Sequence, residues 1–305
     1  MLPSSKRLLR DLHGVLLFDK PVGLSSNGAL QRVRSLLGAR KAGHTGSLDP
    51  LASGLLPLCF GEATKFSSHL LDSDKRYVVR LRLGVATDTL DRDGRVTQTA
   101  AVPWLSEDRI EAALASQRGL IQQVPPMYSA LKHEGKRLYE LARKGVDVAR
   151  PARPIRIHSL VLLRVEDSLL ELDVQCSKGT YIRSLAVDLA RQLETVGHVE
   201  ALRRTEVGGR GLDRAVSLDS LEALAPEARE CRLLPVDALV DHLPRIDLDE
   251  VTAEKAGHGQ PLEADVPATA EWVRLYGEAG FLGVGQVLEP GRVAPRRMLR
   301  QSSVD

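Results

Sequence analysis

Strand-forming runs crowd the first two thirds of the chain without a helix between each neighbouring pair. Residues 14–19, 55–60, 75–83, 155–165 and 169–176 are rich in aliphatic and β-branched residues and are bounded by turn formers. A parallel sheet needs a crossover of a dozen or more residues, usually helical, between successive strands. Helices are predicted over 27–37, capped by Ser25 or Ser26, over 107–116, with acids in the first turn, over 136–145, and over 181–193 after an extended start. They do not alternate regularly with the strands. The pattern therefore predicts an α+β fold with a mostly antiparallel mixed sheet flanked by helices. Leu169 to Cys176 is the expected hairpin partner of the strand before it. Residues 43–54 and 87–94, rich in Gly, Pro, Asp and Thr, are expected to be loops. From about Leu243 the texture changes to short strands and Gly-rich turns. A boundary is expected at Pro244, giving a catalytic domain over 1–243 and a small β domain over 244–305.

The composition, 43% hydrophobic and 27% charged in 305 residues, excludes a disordered or collagen-like chain. No run approaches the roughly 18 apolar residues of a membrane span. The basic start (Lys6, Arg7, Arg10) is followed only by GVLLF before Asp19, which is too short for a signal-peptide core. Cys59, Cys176 and Cys231 are odd in number and widely spaced, so neither a disulfide framework nor a zinc site is expected, and the chain reads as cytoplasmic. Net charge is only +2, but it is unevenly placed. Residues 118–156 carry nine Lys or Arg against three acids, and 247–292 carry nine acids against three Lys or Arg. The basic middle is where phosphate contacts would fall if the partner is a nucleic acid. A solvated face explains it equally well.

The residues that could carry chemistry lie in a few places. In Gly43-His44-Thr45-Gly46-Ser47-Leu48-Asp49-Pro50 a carboxylate sits between a leucine and a proline in a loop stiffened by Gly and Pro. It suits nucleophilic or acid–base work in a partly dry pocket. A turn capped by its own Asp is the competing reading. The loop lacks G-x-x-x-x-G-K-[ST], which argues against a phosphate loop. His44 is a base or a structural hydrogen bonder. Tyr77 lies beside Arg76 on a strand, where packing alone would account for it. In Lys178-Gly179-Thr180-Tyr181-Ile182-Arg183 an extended chain would put Tyr181 and Arg183 on one side, an aromatic plate and a guanidinium suited to a base and an anion. Arg203, Arg204, Arg296 and Arg297 read as further basic points. Together these suggest a cofactor-free enzyme acting on nucleic acid without naming the reaction.

Five ordered segments between residues 14 and 207 resemble the TruB family of tRNA pseudouridine synthases: GVLLFDKPVGLSS, GHTGSLDPLASGLLPLCFGEATK, KRYVVRLRLGVATDTLDRDG, QVPPMYSALKHEGKRLYELARKG, and CSKGTYIRSLAVDLA with LRRT downstream. The tail WVRLYGEAGFLGVGQVLEPGRVAPRRML resembles the small PUA-like β-barrel domain of bacterial members. The resemblance implies the pseudouridine-synthase fold and isomerisation of uridine 55 in the tRNA T loop, with the base flipped out of its stack. It implies that Asp49 acts at the ribose, either as nucleophile at C1′ or as base at C2′. It also implies that Tyr77 stacks on the base and assists loss of the C5 proton, and that Arg183 pairs with Asp49. An opposite charge favours a carboxylate's charged form. Tyr181 and Leu202 would line the pocket, His44 would take the place of the flipped base, and Lys20 would support the pocket through phosphate or backbone contacts. The stretch around 124–153 would be an RNA-gripping insertion, and Arg296, Arg297 and Arg300 the contact points of the acidic tail domain. No metal, cofactor, DNA, membrane or protein partner is implied, and the chain is expected to act as a monomer on the tRNA T stem-loop. A non-catalytic RNA-binding or RNA-folding protein and a ribosomal-RNA synthase of a guide-RNA particle are the alternatives.

Overall fold

The computed structural model describes residues 9–300, so Lys6 and Arg7 of the basic start lie outside the described residues. Among the described residues nine strands form one sheet. Its spatial order is Val216–Ser217, Gly14–Lys20, Ala52–Phe60, Gly197–Val207, Lys75–Leu83, Leu169–Cys176, Arg153–Glu166 and Gly119–Gln123, and Ala42–His44 also pairs with Ala52–Phe60. Two pairings are parallel, Gly14–Lys20 with Val216–Ser217 and Ala52–Phe60 with Gly197–Val207, and the rest are antiparallel. This is the mixed, mostly antiparallel sheet expected.

Helices Ser26–Leu37, Glu107–Ser116 and Ile182–Gln192 turn Leu30, Val33, Leu114, Leu185 and Leu189 into the main core, against Leu16, Phe18, Leu56, Leu58, Leu81 and Leu172 of the sheet. Each such side chain is fully buried and contributes about 1.5–3 kcal/mol. The opposite face of the first two long strands (Val15, Leu17, Leu55, Cys59) is covered by Phe66, Leu70 and residues of the small domain. Being buried on both faces explains why these strands read as continuous apolar runs. Lys75–Leu83 alternates, with Lys75, Tyr77, Val79, Leu81 and Leu83 buried.

The small domain is a five-stranded sheet, Arg245–Asp247, Trp272–Gly277, Gly280–Glu289, Arg292–Met298 and Leu262–Glu263, curled into a half-barrel around Ile246, Val273, Leu275 and Val293. It also holds the eight-residue helix Glu250–Gly257. It packs on the main domain through Phe281 against Phe66 and Trp272 against His69, each pair 5.3 Å between ring centres, and through Lys65 Nζ to the Met298 carbonyl at 2.8 Å.

Several local expectations change. The expected helix over 136–145 shrinks to Leu138–Ala142, because Lys132–His133 and Lys136–Arg137 pair as a hairpin. Its two turn residues, Glu134 and Gly135, have φ of 49° and 81°, the geometry of a tight two-residue hairpin turn. The loop expected over 43–54 is strand at both ends, Ala42–His44 and Ala52–Phe60. Val85–Thr87, at the start of the other expected loop, pairs with Val96–Thr99. Strand Gly197–Val207, central in the sheet, has no counterpart in the sequence reading.

Candidate active site

Asp49 lies in a tight turn just before Ala52–Phe60: its carbonyl accepts the Ala52 N–H at 3.0 Å, and Pro50 at the second position presets φ. The turn is pinned from outside. Ser26 accepts the Leu48 N–H at 2.6 Å and donates to the Leu48 carbonyl at 3.0 Å, and Gly23 N–H reaches the Pro50 carbonyl at 2.8 Å. Ser25 alone caps the first helix, accepting from Gly28 N–H, so the second serine of the pair is free to hold the loop. The Asp49 carboxylate does not cap its own turn. It meets Arg183 Nε at 2.9 Å. It is less enclosed than expected: its side chain is 41% exposed, while that of Arg183 is 6% exposed.

Arg183 is the second residue of helix Ile182–Gln192, and Tyr181 is the extended residue that precedes it. The two are therefore not neighbours on one strand face, as the sequence suggested; the chain changes from extended to helical between them. Every arm of the guanidinium is held. Nη1 donates to the Thr89 carbonyl at 2.9 Å and lies 3.5 Å from Asp91, and Nη2 donates to the Tyr128 carbonyl at 2.7 Å. Asp91 is buried, accepts from Thr89 Oγ1 at 2.6 Å, and has its carboxyl pushed above the ordinary range by that burial. One arginine thus joins an exposed carboxylate to a buried one, with a fixed orientation.

Tyr77 is buried on the core face of its strand, directly opposite Arg204 in the sheet register. Burial raises the phenol above 10 against the opposing pull of the Arg204 charge. Leu202 is buried on the same face, opposite Val79. Tyr181 is half-buried. Its backbone is held by Gln123, whose amide accepts the Tyr181 N–H at 2.8 Å and donates to its carbonyl at 3.1 Å. Lys20 has no accessible surface, and its ammonium donates to the carbonyls of Pro21 (2.8 Å) and Leu24 (2.7 Å). Of the two supports expected of Lys20, the structure has the backbone one. Burial lowers the Lys20 ammonium to about 8, partly offset by the Asp49 charge. His44 sits at the end of Ala42–His44 with Nδ1 buried and without a hydrogen-bond partner, and burial lowers its imidazole below the ordinary value.

Asp49 thus pairs with Arg183 and lies within electrostatic reach of Lys20, Tyr77 and Tyr181, while Leu202 sits on the Tyr77 face of the sheet and His44 on the strand that leads into the Asp49 loop. The structure adds Asp91 and Gln123, which the sequence did not mark, and gives new places to Ser26, read as a helix cap, and Arg204, read as a further basic point. Arg204 is the largest departure. It reads as one of a run of surface cations and is instead 1% exposed. The basic residues of the insertion (Lys132, Lys136, Arg137, Arg143, Lys144, Arg153) are exposed, as are Arg296, Arg297 and Arg300 of the tail. A cleft of about 810 Å³ lies beneath the insertion, between Tyr128, Val146 and Arg150 and the helix residues Ser184 and Val187; Asp49 and Tyr77 do not line it.

Solved structures share this architecture. A box H/ACA ribonucleoprotein bound to a substrate RNA containing 2′-deoxyuridine matches with a TM-score of 0.71 at 21% identity, over 98% of this chain and 88% of the other. A Cbf5–Nop10–Gar1 complex matches with a TM-score of 0.70 at 24% identity, over 91% and 79%. Family models match the chain in three successive parts: "TruB family pseudouridylate synthase (N terminal domain)" over 34–182, "tRNA pseudouridylate synthase B C-terminal domain" over 183–241, and "Pseudouridine synthase II TruB, C-terminal" over 244–299. Fold and sequence together define a pseudouridine synthase, an isomerase. The protein is 55% identical over 290 residues to tRNA pseudouridine synthase B of Aromatoleum aromaticum, covering 95% of this chain and 94% of the relative. It is 51% identical over 295 residues to that of Chromohalobacter salexigens, covering 96% of each. The chain belongs to the TruB family.

Proposed function

We propose that the protein isomerises uridine to pseudouridine in tRNA, at position 55 of the T loop, on bare tRNA and without a guide RNA or protein partner. The observation that carries this reading is the Asp49–Arg183 pair, an exposed carboxylate oriented at 2.9 Å by a buried guanidinium. The relatives named above, matched along nearly their whole length, support tRNA as the substrate.

The target base must leave its stack before its sugar can be reached. His44, on the strand edge beside the Asp49 loop, takes its place in the RNA. The flipped uracil lies on Tyr77 between Tyr181 and Leu202. Asp49 acts at the ribose. The N1–C1′ bond breaks, the uracil turns, and a C5–C1′ bond forms. The C5 proton is then lost to solvent and N1 gains one, so atoms and charge balance. Arg183 keeps Asp49 aimed while charge develops, which needs no reorganisation at the moment of reaction. The Tyr77 phenol, kept protonated by burial, serves as platform and as relay for the C5 proton. Residues 1–243 form the catalytic unit, with 124–153 gripping the T stem through its exposed lysines and arginines, and 244–305 form a PUA-like RNA-binding unit of lesser charge.

Tritium release from a tRNA transcript labelled at uridine C5, with the product mapped, tests the reading. Release at one T-loop position is expected, lost below detection in Asp49→Asn while tRNA affinity stays within a few-fold. No release from bare tRNA, or full release by the Asn variant, overturns it.

A further inference from the structure

Arg204 is an unusual residue to find 1% exposed in a core. A buried charge normally has a counter-charge, because removing it from water costs several kcal/mol otherwise. Among the described residues no ion pair includes Arg204; carboxylates near the site are engaged elsewhere, Asp49 and Asp91 by Arg183 and Asp19 by Arg203. Its guanidinium faces carbonyls instead. Nε donates to Leu55 at 2.7 Å, and the two terminal nitrogens lie 3.4 Å from the carbonyls of Ser47 and Gly46. Tyr77 lies directly opposite Arg204 on the neighbouring strand, on the same core face. Gly46 and Ser47 lie at one end of the segment that carries Asp49, and Leu55 lies at the other.

The backbone of the same residue reinforces the clamp. Arg204 is in parallel register with Gly54, and the approach is so close that a Cβ on Gly54 would lie 2.2 Å from the Arg204 carbonyl oxygen. A bulge between Arg204 and Glu206 interrupts the pairing with Lys75–Leu83, the kind of irregularity that re-aims a side chain. The other cations near it, Lys20 and Lys75, donate to carbonyls too, and burial lowers both to about 8. An arginine is the one basic side chain that stays charged under such conditions, and its planar fork alone reaches several acceptors in different directions.

We propose that Arg204 is a positioning residue for the isomerisation: from its place opposite Tyr77 in the sheet, one guanidinium ties together both ends of the Asp49 loop and so fixes carboxylate and phenol relative to each other. The proposal rests on Asp49 and Tyr77 being the reacting pair. A lysine presents its donors at a single nitrogen, so it cannot span the Leu55, Ser47 and Gly46 carbonyls together. A lost contact of this kind misplaces reacting groups without touching the RNA.

The test measures single-turnover tritium release at saturating enzyme, together with tRNA Kd, for Arg204→Lys, Arg204→Gln, Tyr77→Phe and the Arg204→Lys/Tyr77→Phe double variant. Asp49→Asn is measured alongside. Arg204→Lys is expected to keep tRNA Kd within about twofold of the parent and lower the single-turnover rate about ten- to hundredfold. Its loss should be clearly smaller in the Tyr77→Phe background, where one of the clamped groups is gone. Should Arg204→Gln fail to fold, the lysine variant still decides. A lysine variant with the parental rate, equal losses in Kd and rate, or fully multiplicative losses in the double variant overturn the proposal. Turnover by Asp49→Asn would instead overturn the reading of the site on which it rests, whatever Arg204 does.

Discussion

Lys20 stores a pH dependence that can be worked out from its surroundings. The side chain has no accessible surface, and burial lowers its ammonium from 10.5 to about 8. Between those values the unfolded chain holds a proton that the folded protein does not. Unfolding therefore takes up a proton, and stability rises with pH across that window. For a single site the gain relative to pH 7 is under about 1 kcal/mol at pH 8, about 1 at pH 9 and about 2 at pH 10. Lys20 lies at the site rather than at the domain centre, so partial hydration makes these upper limits. Lys75 adds a second contribution of the same sign, since burial lowers it to about 8 as well. Lys20→Met isolates the first. The methionine fills similar space and leaves the Pro21 and Leu24 carbonyls unpaired, at a cost of about 1–3 kcal/mol that does not depend on pH. Urea unfolding of both proteins at pH 7, 8, 9 and 10 supplies the comparison. The stability difference, parent minus variant, should grow by about 2 kcal/mol from pH 7 to 10. Two parallel curves would show that the folded protein keeps Lys20 charged throughout, and would refute the argument from burial.

Other outcomes follow from single contacts. Gly54→Ala demands both a φ of +102° and a methyl group 2.2 Å from the Arg204 carbonyl; it should destabilise by about 3 kcal/mol or more in denaturant unfolding and depress tritium release along with it. Arg183→Ala leaves Asp91 buried without its cation, so stability at pH 7 should fall by about 3–5 kcal/mol. Because burial raises the folded Asp91 pKa above its unfolded value, that loss should shrink as pH falls through the folded value. Adding Asp91→Asn to Arg183→Ala should recover stability but not turnover, since Asp49 remains without its partner; recovery of both would place the role of Arg183 in folding alone.

The fold was legible wherever periodicity or punctuation was strong. The residues of Lys75–Leu83 alternate, the apolar runs at Gly14–Lys20 and Ala52–Phe60 reflect burial on both faces, and Ser106 with its two following acids marks the helix Glu107–Ser116. What escaped is also physical. Gly197–Val207 carries Glu200, Arg203, Arg204 and Glu206, a composition that reads as surface. Yet it is a central strand, because Arg203 pairs with Asp19, the chain bulges before Glu206, and Arg204 finds carbonyls inside. Within the insertion, residues 136–145 read as a short basic helix ending on a Gly stop. Nothing but the Glu134–Gly135 pair signals the hairpin that takes up Lys136 and Arg137.

The site divides along a different line. Asp49 stood out because a carboxylate in a stiff, Gly-rich loop needs a reason, and Tyr181 because it adjoins a Gly turn and Arg183; Tyr77, on a strand where packing accounts for it, gained a role only through the resemblance. Residues that hold those in place, Lys20 apart, did not stand out, because each works through a backbone group that no side-chain pattern records. Ser26 binds the amide and carbonyl of Leu48, Gln123 binds those of Tyr181, Lys20 caps two carbonyls, and Arg204 gathers three. Each is polar and buried, and each would cost free energy if left unpaired. The site is thus set by a ring of buried polar side chains fastened to main chain, and substitutions in that ring should shift rate more than RNA affinity. The exposed cations of the insertion should show the reverse, because their charges lie on the solvent face.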